Sequence, residues 1–212
     1  MFASMVRSVR ALALMAALPL CGASASTVLT LSDLSSDETS ADLLDARLLF
    51  DVGGSELTFT ATNDTPLGAG YDINAIFFNG SANVEGLSLI APVAGWTLVF
   101  DERADGFGTF DFALINDRGN DTGEILPGES LTFSLAIAGS GPFEDADFTT
   151  NLSSIPPGNN PSISAAKFVS GPGGDSAFGA VVPEPGTAVL VLCGLGAVSQ
   201  LRRRHRLHVR RG

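Results

Sequence analysis

Apolar and polar residues alternate along short runs of this sequence, and turn-forming residues break each run after about ten positions. Ala46, Leu48, Phe50 and Val52 share one face of such a run, while Arg47, Leu49 and Asp51 share the other. Gly53-Gly54 then permits a tight turn into Leu57, Phe59 and Ala61, whose opposite face is Thr58, Thr60 and Thr62. The same texture returns at 71–78, 84–90, 96–100, 107–115, 131–138 and 165–169. Asn79-Gly80, Asp105-Gly106, 116–123, Pro127-Gly128, 139–142 and 156–161 separate those runs. With no long helical periodicity, and no internal repeat, the pattern predicts an all-β fold. The expected form is a single antiparallel β-sandwich or jelly-roll-like domain over 26–170. Residues 42–49 admit one helical turn as an alternative.

Composition allows a packed core: 45% of residues are hydrophobic and only 17% charged. The net charge of −11 conceals an asymmetry. Most basic residues lie in the first ten positions or after Gln200. Between 26 and 181, four basic residues (Arg47, Arg103, Arg118, Lys167) face 22 acidic ones, a net of −18. Such a body repels polyanions, so no nucleic-acid partner is expected.

Residues 1–25 read as a signal peptide. Arg7 and Arg10 give the positive start, 11–20 the apolar stretch, and Ala23-Ser24-Ala25 a small-residue cleavage site that leaves Ser26 first. Cys21 follows Leu20, where lipid attachment needs a small residue. The other cysteine, Cys193, lies in a C-terminal apolar run. The 26–181 body therefore has none, and an exported body without disulfides relies on packing or a bound ion.

Gly171-Pro172-Gly173-Gly174 opens a small-residue stretch, 171–181, with the composition of a flexible tether. Residues 187–201 then form an uncharged apolar helix candidate, short of the roughly 20 residues of a comfortable membrane span. Tilt and local thinning offset that deficit. The basic tail at 202–212, headed by Arg202, Arg203 and Arg204, stays on the cytoplasmic side and leaves the acidic body translocated.

The motif Val182-Pro183-Glu184-Pro185, the apolar run and the arginine cluster together resemble the PEP-CTERM sorting signal of Gram-negative bacteria, over 182–212. The resemblance implies processing by a membrane-embedded exosortase. It also implies delivery to the cell surface or to an extracellular polysaccharide or biofilm matrix. The two prolines fix φ and keep the motif extended in front of the membrane. The body is similar, more loosely, to the secreted Thr- and Asn-rich β-domains that precede this signal.

Catalytic chemistry is sparse. Both histidines, His205 and His208, sit in the basic tail, so the body can assemble neither a Ser-His-Asp nor a Cys-His mechanism, nor a zinc site of those ligands. A carboxylate pair for glycan hydrolysis is the one enzymatic alternative. Phe107, Phe110 and Phe112 alternate as core residues do, whereas Tyr71 and Trp96, with polar handles, are the better candidates for an exposed sugar-stacking platform. Calcium is the one cofactor the sequence admits. Asp117, Asp121 and Glu124 lie in a glycine-containing loop; Asp101, Glu102 and Asp105 form a second acidic group, and Glu144, Asp145 and Asp147 a third. None has EF-hand spacing, and polar turns are the plainer account of each. Four Asn-x-Ser/Thr patterns, at Asn63, Asn79, Asn120 and Asn151, follow from composition. The expectation is a non-enzymatic exported protein with a structural or adhesive role, meeting polysaccharide or matrix proteins. The alternatives are a carboxylate-based carbohydrate-active enzyme and a β-domain permanently anchored by its C-terminal helix.

Overall fold

A computed structural model describes residues 26–32, 44–117, 123–154 and 160–181. The expected first hairpin is present. In β2 (Asp45–Gly53), Ala46, Leu48, Phe50 and Val52 are buried and Arg47 and Asp51 point outward; the 42–49 helical alternative is not what forms. Gly53 pairs with Glu56, so Gly54 and Ser55 alone make the turn. Gly54 takes φ +68°, which the first central position of a type II′ turn requires. The chain returns as β3 (Glu56–Asn63), burying Leu57, Phe59 and Ala61.

The remaining expected runs are β4 (Asp72–Phe78), β5 (Val84–Leu89), β6 (Trp96–Ala104), β7 (Gly108–Asn116), β8 (Ser130–Gly139) and β9 (Ser164–Gly171). A single helical turn, α1 (Ala146–Thr149), packs Phe148 into the core. Two strands are additional to those expected: β1 (Thr27–Ser32) and β10 (Asp175–Ala180). The segments read as signal peptide and sorting signal lie outside the described residues.

The strand β10 corrects the expected tether at 171–181. The glycines there serve a turn: the Gly174 amide donates to Gly171 O at 2.8 Å, with Gly173 and Gly174 at φ +85° and +81°. Beyond it, β10 pairs with β9 and buries Ala177 and Ala180. Small side chains are what this strand needs, because a Cβ at Gly179 would lie 3.1 Å from the Phe168 ring.

All ten strands form one antiparallel sheet in the order β5-β8-β3-β2-β1-β10-β9-β4-β7-β6, curled nearly into a barrel. Its two halves meet where β1 pairs with β10, at Ser32 and Ala180. The inner faces close on an aromatic core. Phe50 lies 4.9 Å from Phe59 and 5.9 Å from Phe78, and Phe59 lies 5.3 Å from Phe78, so rings from both halves interlock. Each such buried ring stabilises the fold by about 1.5–3 kcal/mol.

The outer faces differ. On β3 and β8, Thr60 and Thr132 share a hydroxyl bond of 2.9 Å, and Thr62 and Ser130 one of 2.8 Å. Beside them Arg47 pairs with Asp64, whose hydrogen bond and charge raise the guanidinium pKa above its ordinary value. The other half carries a second apolar cluster outside: Ala75, Phe77, Ala113, Ala165 and Ala180, beneath Ala104, Phe107 and Phe110. The β6–β7 hairpin reaches over to cover it, so β6 contacts β9 although β4 and β7 separate them in the sheet. Asp101, at φ +54°, supplies the bend; Asp tolerates the left-handed region better than most side chains.

A buried amide ties the sheet to its loops. Asn63 Nδ2 donates to Tyr71 O and Ile125 O at 2.8 Å each, and Oδ1 accepts from the Thr65 amide at 3.1 Å. Opposite, the Tyr71 ring fills the space above Gly171, where any Cβ would strike it. Gly171→Ala is therefore expected to destabilise the protein by about 1–3 kcal/mol, read as a lower denaturant midpoint at unchanged slope.

Candidate functional site

Among the described residues, a concave feature with convergent side chains lies at the start of β6. Its lining includes Val93, Trp96, Glu124, Ile125, Glu129 and Leu131, around about 260 Å³. Local bonding fixes each wall. The Trp96 amide donates to Val93 O at 3.0 Å, closing the turn that leads into β6. The indole Nε1 donates to Gly123 O at 2.7 Å, and the ring packs edge-on against Phe133 at 5.4 Å. Ile125 bridges Ile73 through two main-chain bonds of 3.0 Å, and the Asn63 main-chain N–H donates to Glu129 O at 3.0 Å. Main-chain bonds thus hold the walls of the cleft, and Glu124 and Glu129 are the charged side chains among its described lining residues.

Tyr71 and Trp96, expected to be exposed, are only 3% and 5% accessible. Each uses its surroundings: Tyr71 covers Gly171, and Trp96 spans from Phe133 to Gly123. They form no flat stacking platform. Phe107, Phe110 and Phe112 are buried as expected, while Phe100, 52% accessible on the edge strand β6, is the exposed aromatic that alternation did not single out. Its ring lies 5.8 Å from Phe112.

The acidic groups are dispersed. Asp117 Oδ2 accepts from Thr97 Oγ1 at 3.1 Å, Glu124 lines the cleft, and Asp121 lies outside the described residues. Asp105 faces Arg103 at 3.8 Å on the exposed β6–β7 turn. In the third group, Asp145 and Asp147 act as structural acceptors. Asp145 takes the Val52 amide at 2.9 Å and Thr27 Oγ1 at 3.2 Å. Asp147 takes Ser81 Oγ at 2.6 Å and the Glu144 amide at 2.9 Å. Among the described residues no three acidic, histidine or cysteine side chains gather as metal ligands. Asn63 and Asn79 are buried with their amides hydrogen-bonded, which removes both from any glycosylation pattern.

Val182, Pro183, Glu184, Pro185, Arg202, Arg203, Arg204, Ala23 and Ala25 lie outside the described residues. Compared with known proteins, the chain matches no family model, no curated protein and no solved structure.

Asp145 offers a direct check of the structural role given to the third acidic group. Asp145→Ala strands the buried Val52 amide and is expected to cost about 1–3 kcal/mol. Urea unfolding should show that loss unchanged by millimolar calcium; full rescue by calcium would instead indicate a metal ligand.

Proposed function

We propose that this protein is an exported, non-enzymatic β-domain with a structural or adhesive role at the cell surface or in an extracellular polysaccharide matrix. Its delivery runs through a PEP-CTERM-type signal at 182–212. The fold is read as a jelly-roll-like sandwich whose two halves stay joined at one corner.

One observation carries the delivery reading. Among the described residues the strands extend from Thr27 to Ala180, between the two segments read as processing signals. Cleavage after Ala25 leaves β1 whole, and removal of everything from Val182 onward leaves β10 whole. Both cuts are then compatible with a finished sheet, and the product keeps the −18 body while losing the terminal arginines. Two features support a scaffold role over catalysis: the dispersed carboxylates, and the polar β3–β8 face whose hydroxyls bond to each other.

Mass spectrometry of the protein recovered from its native cells tests the delivery. The expected mature chain begins at Ser26 and ends within the Pro-Glu-Pro region. An intact arginine tail on the surface-exposed protein would favour the permanent anchor, and retention of 1–25 in the cytoplasm would sink export altogether.

A further inference from the structure

We propose that residues 182–185 dock on the open edge of β1 and lengthen the β1–β10 seam, with Val182 opposite Thr30 and Glu184 opposite Val28. The proposal goes beyond the delivery reading and does not depend on it.

The direction of the main-chain bonds identifies the open edge. The Asp45 amide donates to Thr65 Oγ1 at 3.3 Å, and its carbonyl accepts from the Asp64 amide at 2.9 Å. The main chain of Asp45 therefore turns toward β3 and away from β1. Ser32, its partner in register, turns its own N–H and C=O away from β2. Alternation along the strand gives Thr30 and Val28 the same direction. The Val52 amide obeys the same count: it points past the end of β1, where Asp145 Oδ1 receives it at 2.9 Å. On the side away from β2, among the described residues, β1 pairs at Ser32 alone. The main-chain groups of Val28 and Thr30 are thus presented to a further strand.

The chain that arrives at this edge is its own. Carried on antiparallel from the pair Ser32 and Ala180, the register sets 182 against Thr30 and 184 against Val28. The bonding direction agrees. The Val181 amide donates to Ser164 O and its carbonyl accepts from Ser162 Oγ, so Val181 faces β9. In an extended chain 182 and 184 then face β1, while 183 and 185 face away from it. The two prolines fall where β1 requires no N–H, which is the placement proline takes in an edge strand. Each also holds the residue before it extended. A register shifted by one residue would set both missing N–H groups against β1.

Side chains follow the same period. Val181 belongs to the core, which sends 183 and 185 inward and Glu184 outward. Pro183 then lies beside Leu29, a partly buried residue at the margin of the core, and the Glu184 carboxylate reaches water.

Amide hydrogen exchange of the purified full chain, followed residue by residue by NMR, tests the docking. The Val182 and Glu184 amides are expected to exchange at least about tenfold more slowly than in an unstructured chain. Glu184→Pro removes the N–H offered to Val28 and should speed exchange of the Val28 amide about tenfold, whereas Glu184→Ala should leave it unchanged. Protection of the Phe168 amide in the β9–β10 ladder reports that each variant is folded. Free exchange at 182 and 184 overturns the proposal. So does a Val28 amide that Glu184→Pro leaves unchanged, because another segment then covers this edge. An effect of Glu184→Ala as large as that of Glu184→Pro overturns it as well, since the carboxylate and not the main chain would then hold the segment.

Discussion

The pairing of β1 with β10 joins the two halves of the sheet, and the other strands depend on it for their arrangement. Ser32 and Ala180 are about 150 residues apart in sequence, yet they are the registered pair at this seam. On either side, β1 has six partners on β2 and β10 a ladder on β9, so each half is locally secure. The seam decides whether two five-stranded layers become one curled sheet. Such a long-range contact closes late in folding, after the hairpins β2–β3 and β6–β7 have formed from near neighbours.

Once the seam is closed, the second half is covered on both faces. Ala75, Ile76, Phe77 and Phe78 are four consecutive buried residues. Ile76 and Phe78 meet the aromatic core, while Ala75 and Phe77 meet the cluster beneath the β6–β7 hairpin. A strand buried on both sides loses its alternation and becomes a continuous apolar run. The first half keeps its alternation because its threonines face water. The edges of the sheet are guarded as well: β5 carries Glu85 at a register shift, and β6 carries Asp101, Glu102 and Arg103 along its bend. Charges and irregularities of this kind discourage pairing with another chain's edge.

Period-2 alternation made the hairpin β2–β3 legible in the sequence, because one face is core and the other solvent. The six later strands were legible as short runs between turn signals. The seam was not, and the reason lies in side-chain size. Gly179 fits under the Phe168 ring because it has no Cβ, and Ala177 and Ala180 are small as well, so β10 reads as a linker. Trp96 and Tyr71 were misplaced for a related reason. A polar tip suggests exposure, yet here Gly123 O receives the indole proton inside the wall of a cleft, a partner no local pattern announces. The cleft likewise gathers Glu124 and Glu129 through the Ile73–Ile125 bridge, a contact invisible to sequence spacing.

The replacement of a tether by a strand changes the geometry of the delivery proposed above. The Val181 amide donates to Ser164 O at 2.9 Å and its carbonyl accepts from Ser162 Oγ, so the ordered body runs to the last residue before the motif. Only 182–186 separate it from the apolar run, and five residues fully extended span at most about 18 Å. On the delivery proposed above, with that run in the bilayer, the folded body would stand off the surface by less than the roughly 30 Å diameter of a small domain. A soluble protease would not fit into such a gap. On the same proposal an enzyme working from within the membrane could, and the short standoff would favour a cutter of that kind.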